Sequence, residues 1–128
     1  MSTVLDFHHH VTPPEYVKQM EKHGVTGNTG VKFKKFDPGK NLKIMSKAKI
    51  DKAFLSISTP GVYVKNDKVS AHVARISNEY IAAMKRDHPN RYGGFAALPY
   101  PGREESLKEL EYAYETLNLD GVALMSNV

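Results

Sequence analysis

Val4-Leu5-Asp6-Phe7-His8-His9-His10-Val11-Thr12-Pro13-Pro14 is the stretch on which the reading of this chain turns. Val4 to Phe7 forms an apolar run of strand length, and the paired prolines mark the first turn of a helix, where proline is tolerated. Side chains two apart on a regular strand point the same way. His8 and His10 are therefore expected on one face together with Asp6, and Phe7 and His9 on the other. Two imidazoles so placed can grip one borderline cation such as Zn²⁺, which takes nitrogen and carboxylate ligands where thiolate is lacking. The chain has no cysteine. Asp6 is expected to orient or join that pair. The competing readings are a tag remnant or plain surface histidines, and the flanking Asp6 and Val11 do not look like a tag.

Three further apolar runs follow: Lys52–Ser58, Tyr92–Leu98 and Gly121–Met125. Helical patterns separate them. Pro13-Pro14 opens a short helix reaching about His23, and a second short helix covers Leu42 to Lys49. Val69, Val73, Ile76, Tyr80 and Met84 recur on one face of a longer helix, with Asn66 or Asp67 as its N-cap and His88-Pro89 as its stop. Leu107, Leu110, Tyr114 and Leu117 make an apolar stripe on the last, and Glu104 and Glu105 suit its N-terminal dipole. Strands alternating with helices imply a parallel sheet with right-handed crossovers. The near-continuous apolar runs fit strands covered on both faces.

The expected fold class is α/β: a partial TIM-type (β/α) barrel of about four parallel strands with intervening helices. A small open α/β sheet competes with it, but would normally finish with a covering helix. An eight-stranded barrel takes about 250 residues, whereas this sequence has 128. Barrel enzymes carry their chemistry at the carboxyl ends of the strands, which is where His8 and His10 fall. Ser58 and Thr59 after the second strand, Pro99 after the third, and Ser126 and Asn127 after the fourth are candidates to line the mouth. Turn chemistry explains these residue types equally well.

Hydrophobic residues at 41% and charged residues at 25% are ordinary globular values. No apolar run reaches membrane-spanning length, and Met1-Ser-Thr-Val-Leu-Asp6 has neither the basic nor the apolar region of a signal peptide. A cytoplasmic protein without a membrane partner is the expectation. The net charge of +4 is uneven: Lys32–Lys52 holds eight lysines against Asp37 and Asp51. Such a segment supports an alternative function, a basic module that binds nucleic acid or anionic surfaces. It carries no nucleic-acid motif, and a solvated face accounts for it as well.

Taken in order, several segments resemble the amidohydrolase-related family, which includes aminocarboxymuconate-semialdehyde decarboxylase and related aromatic-acid decarboxylases and hydrolases. They are Asp6-Phe-His-His-His-Val-Thr-Pro-Pro-Glu-Tyr16, Phe54-Leu-Ser-Ile-Ser-Thr-Pro-Gly-Val62, Ala74-Arg-Ile-Ser-Asn-Glu79, His88-Pro-Asn-Arg-Tyr-Gly-Gly-Phe-Ala-Ala-Leu-Pro99 and Leu119-Asp-Gly-Val-Ala-Leu-Met-Ser-Asn127. The resemblance covers essentially the whole chain.

It implies that the His8-x-His10 pair binds a divalent metal, zinc in most members and manganese in some. A further His and an Asp would come from later strands, and another later His would assist the chemistry. None of these has a counterpart among His23, His72 and His88, whose positions suit surface or packing roles. The resemblance thus implies a metal-dependent hydrolase or decarboxylase of which residues 1–128 are the N-terminal half, inactive alone. A second copy in a homo-oligomer, or a separate C-terminal half, would close the site. Several family decarboxylases meet a substrate carboxylate with an arginine after the first helix. Here Val31-Lys-Phe-Lys-Lys-Phe-Asp-Pro38 offers Lys32, Lys34 and Lys35 instead, point charges without the bidentate arginine fork.

Overall fold

A computed structural model describes residues 2–126. Asn127 lies outside them. Strand β1 (Leu5–Val11) leads into helix α1 (Pro14–Lys22), the two-residue strands β2 (Gly27–Asn28) and β3 (Val31–Lys32), and helix α2 (Pro38–Lys47). Then follow β4 (Lys52–Ile57), α3 (Asp67–Asp87), β5 (Tyr92–Ala97), α4 (Arg103–Glu111) with a π-helical turn at Tyr112–Thr116, and β6 (Gly121–Ala123). The main sheet has the order β1-β4-β5-β6, and every neighbouring pair is parallel. Strands therefore succeed one another around the sheet as they do along the chain, the arrangement of a (β/α) barrel.

The two faces of the sheet differ. Ala53, Leu55, Ile57, Tyr92 and Ala96 are buried on the helix side, with Val73, Ala74 and Ile81 of α3 and Met20 and Met45 from α1 and α2. Gly94 lies against Ile81 so closely that an added Cβ would sit 2.2 Å from its Cγ2. The other face carries Phe7, Phe54 and Phe95, stacked with ring centroids 4.5 Å apart for the first pair and 5.4 Å for the second. Phe7 is nonetheless 57% exposed. That face is the concave interior of the partial barrel.

Helix starts follow the local chemistry. Asn66 Oδ1 accepts from the Val69 amide at 3.0 Å to cap α3. Asp37 Oδ1 accepts from the Lys40 amide at 3.0 Å, and Pro38 occupies the first turn of α2. This cap starts α2 four residues earlier than the expected Leu42.

The apolar stripe assigned to the last helix is corrected. Leu107, Leu110 and Tyr114 are exposed, and Ser106, Glu109 and Ala113 are buried in their place. The cause is a polar contact between helices. Glu109, 3% exposed, accepts from Arg75 Nε and from Asn78 Nδ2, each at 2.9 Å. That pairing turns α4's charged edge inward onto α3. The Arg75 guanidinium also lies over the Tyr112 ring at 3.6 Å from its centroid.

Candidate functional site

The geometry of the site begins with an irregularity in β1. Asp6 pairs with Ala53 and His9 with Leu55, so three steps along β1 match two along β4. The extra residue is a β-bulge, which sets Phe7 and His8 together opposite Phe54 and changes the phase of the strand. Beyond it His8 and His10 share the concave face, their rings 4.8 Å apart at 76°. His10 is anchored there by Ser56, the residue opposite it on β4, with Nδ1 and Oγ 3.2 Å apart.

The pairing of the two histidines agrees with the expectation from alternation, but the place of Asp6 does not. Asp6 lies on the helix side with His9, and Phe7 on the concave side with His8 and His10. The bulge is the physical reason. Asp6 still reaches the pair through the backbone, since its Oδ1 accepts from the His8 amide at 3.0 Å. Its Oδ2 is 2.8 Å from His9 Nδ1. These two bonds, the His9 one foremost, hold the Asp6 carboxyl below the usual carboxylate range.

Partial desolvation, followed by the neighbouring His8, lowers the pKa of His10. A neutral imidazole with one nitrogen held by a hydroxyl presents its other nitrogen as a ligand. The donor set fits a divalent cation: two imidazoles on one face at the carboxyl end of a parallel strand. Among the described residues no group of three or more His, Cys, Asp or Glu side chains is placed to hold a metal. His23 Nδ1 instead donates to the Gln19 carbonyl at 2.9 Å, and His88 ends α3 with its ring near-perpendicular to that of Tyr92. His72 is exposed on α3.

A cleft of about 400 Å³ opens beside the pair, lined by His10 together with Lys32, Ser58 and Thr59. Lys32, expected to meet a substrate carboxylate, is thus brought beside Ser58 and Thr59 of the mouth, whereas Pro99 and Ser126 do not line this cleft. The β2–β3 hairpin makes this possible. Thr29 and Gly30 have φ of 49° and 82°, as a two-residue type I′ turn requires. The Asn28 amide bonds the Thr59 hydroxyl, tying the hairpin to the end of β4. The Thr12 hydroxyl bonds the Lys34 carbonyl on the other side. Tyr16 closes the floor by donating to the Gly61 carbonyl at 2.8 Å, and burial raises its phenol pKa.

The lysines of the Lys32–Lys52 segment do not act as one unit. Lys32 and Lys34 line the cleft, Lys40, Lys43 and Lys47 are exposed on α2, and Lys52 Nζ donates to the Pro89 carbonyl at 3.2 Å. No helix among the described residues is long and apolar enough to cross a membrane.

The family model described as Amidohydrolase matches residues 5–128. The decarboxylase macB of Penicillium terrestre is 34% identical over 126 residues, which cover 94% of this chain and 37% of that protein. A crystal structure of an amidohydrolase II superposes with a TM-score of 0.86 at 24% identity, over 94% of this chain and 39% of the other. A second, the dihydroxybenzoic acid decarboxylase of Polaromonas sp. JS666 with bound manganese and the inhibitor 2-nitroresorcinol, gives 0.73 at 23% identity, over 95% and 38%. These two likenesses show the fold, a portion of a TIM-type barrel. The chain spans less than two-fifths of the length of each of these three relatives. With the family model matched from β1 through β6 and the strand order of a barrel, the chain belongs to the amidohydrolase family, whose members similar to it include decarboxylases.

Proposed function

We propose that this chain forms the N-terminal portion of a metal-dependent decarboxylase site for a small hydroxylated aromatic carboxylate. The observation that carries the reading is the pair of His8 and His10 rings on the concave rim, of which His10 lines the same cleft as Lys32, Ser58 and Thr59. His8 and His10 would supply two ligands. Catalytic zinc sites generally use three protein ligands, so the others would come from strands outside residues 1–128. On this reading the isolated chain is inactive.

When bound, the cation would polarise the substrate and lower the pKa of a bound water. The chain's own residues would do the rest of the binding. Lys32 is a mobile point charge for a carboxylate. Ser58, the Thr59 hydroxyl and Asn28 offer hydrogen bonds to ring hydroxyls at the strand end. With the barrel completed, the stacked Phe7, Phe54 and Phe95 would form an apolar wall on that side of the interior. Decarboxylation rather than hydrolysis is favoured by the similarity to macB and to the Polaromonas enzyme, whose structure also makes manganese a candidate beside zinc.

The test has two arms. Equilibrium dialysis of the 128-residue chain against Zn²⁺ and against Mn²⁺ should show one bound ion, lost in the His8→Ala, His10→Ala double variant. Release of CO₂ from 2,6-dihydroxybenzoate by the chain alone should not exceed that of the same variant. Completing the barrel with the later strands of the Polaromonas enzyme should restore release, and Lys32→Ala in that chimera should raise KM. An ion bound equally by the double variant contradicts the ligand assignment. Hydrolysis of an ester or amide by the chimera in place of CO₂ release contradicts the reaction.

A further inference from the structure

The concave face changes character between Phe95 and Ala97. Phe95 pairs with Gly121, and Ala97 with Ala123. A Cβ at Gly121 would lie 3.2 Å from Cδ1 of the Phe95 ring, so both members of the first pair face the interior. Residues two further along a strand face the same way. Ala97 and Ala123 are therefore on the interior side, at the carboxyl ends of β5 and β6. Stacked rings fill the row of Phe54 and Phe95, whereas two alanines leave the next row short of volume. The space is a recess of about 20 Å³, lined also by Val62, Leu98, Leu124 and Met125. A space of roughly 10–15 Å³ takes one water-sized group, but a water held there needs roughly two to four polar partners. Apart from the phenols of Tyr63 and Tyr100, the side chains around this recess are apolar. A methyl group matches both its size and its chemistry.

The recess adjoins the polar cleft beside His10. Ser58 and Thr59 line the cleft, and Pro60 and Gly61 line the recess, so the turn after β4 is the partition between them. Tyr16 holds that turn from the cleft side, donating to the Gly61 carbonyl at 2.8 Å. Met125 approaches it from the other side. A Cβ on Gly61 would lie 3.1 Å from Met125 Cγ, and the backbone there has a φ of 79°, which favours glycine. The two halves of the mouth thus differ in chemistry, with lysines and hydroxyls on one side of the turn and aliphatic carbon on the other.

We propose that the Ala97–Ala123 recess is a specificity subsite for a methyl substituent on the substrate ring, placed opposite the carboxylate across the Ser58–Gly61 turn. This rests on the reading of the cleft as the carboxylate side of a decarboxylase site, but its first test needs neither metal nor turnover. Resorcinol, 5-methylresorcinol and 5-tert-butylresorcinol are titrated into the metal-free 128-residue chain, carbon-13-labelled at its alanine and methionine methyls. 5-Methylresorcinol should shift the Ala97, Ala123 and Met125 signals and bind about fourfold more tightly than resorcinol, the worth of one buried methyl. Its methyl protons should show cross-relaxation to Ala97. The tert-butyl compound, too wide for the recess, should leave the Ala97 and Ala123 signals in place. Ala123→Val, which fills the recess, should reduce the affinity for 5-methylresorcinol to that for resorcinol. Equal affinities in the wild type, cross-relaxation to the exposed Phe7 ring in place of Ala97, or a shift of Ala97 by the tert-butyl compound overturns the proposal. Should Ala123→Val not fold, the wild-type contacts decide.

The barrel chimera then separates the two readings. It should release CO₂ from 2,6-dihydroxy-4-methylbenzoate with a kcat/KM about fourfold above that for 2,6-dihydroxybenzoate, and Ala123→Val should remove the preference. Equal kcat/KM for the two acids overturns the subsite and leaves the decarboxylase reading standing. Methyl contacts at Ala97 without CO₂ from either acid uphold the recess as a methyl site and overturn the decarboxylase reading.

Discussion

His8 and His10 meet at a ring separation of 4.8 Å on the concave side of the sheet, while Asp6, two residues before His8, points to the helices. Two residues apart is the spacing that brings the rings together. The same spacing fails for Asp6 because the bulge lies between it and His8.

The inner and outer faces of the sheet should respond differently to truncation. Leu55 is wholly buried against the helices, and Leu55→Ala should cost about 2–5 kcal/mol, as core truncations do. Phe7 is more than half exposed, and Phe7→Ser should cost only about 1 kcal/mol, the worth of an aromatic pair. Urea unfolding of the two variants gives the comparison. A Phe7 variant as damaged as the Leu55 variant would mean that the concave face is packed.

One polar side chain of α3 ties that helix to the end of β5. Asn78 donates to the Ala97 carbonyl at 2.9 Å and accepts from the Ala97 amide at 2.8 Å, and it also donates to Glu109. Asn78→Ala leaves buried backbone groups and a buried carboxylate short of partners. A loss of about 3 kcal/mol or more is expected, since each unsatisfied group costs roughly 1–3 kcal/mol. A shift in the urea midpoint corresponding to less than about 1 kcal/mol would show that water replaces the asparagine.

Alkaline pH should destabilise the fold through Tyr92. Burial pushes its phenol up to about 12, while the unfolded chain ionises near 10. The raised value means that its contribution is complete below pH 10 and is lost as pH rises from 10 towards 12. Tyr92→Phe should therefore flatten that limb of the stability curve. A remnant is expected from Tyr16, also raised by burial. Thermal melts at pH 9, 10 and 11 measure it, and identical slopes for variant and wild type would contradict the assignment.

The parallel strands, the long helix and the approach of His8 to His10 were legible because each has a repeating pattern or a cap, such as Asn66 before α3. Three features were not. The bulge leaves no mark in a run of three histidines, because a change of phase there exchanges one histidine for another. The burial of Glu109 runs against its polarity and depends on Arg75 and Asn78, over thirty residues away in sequence. The β2–β3 hairpin has strands of only two residues, too short for alternation to register. Gly27-Asn28-Thr29-Gly30 was its only local signal.

X-ray absorption of the zinc-loaded 128-residue chain tests the central claim most directly. Two imidazole nitrogens per zinc at about 2.0–2.1 Å are predicted, falling to one in His8→Ala and in His10→Ala, and unchanged in His72→Ala. A single imidazole in the wild type, or a spectrum indifferent to both His8 and His10, would contradict it.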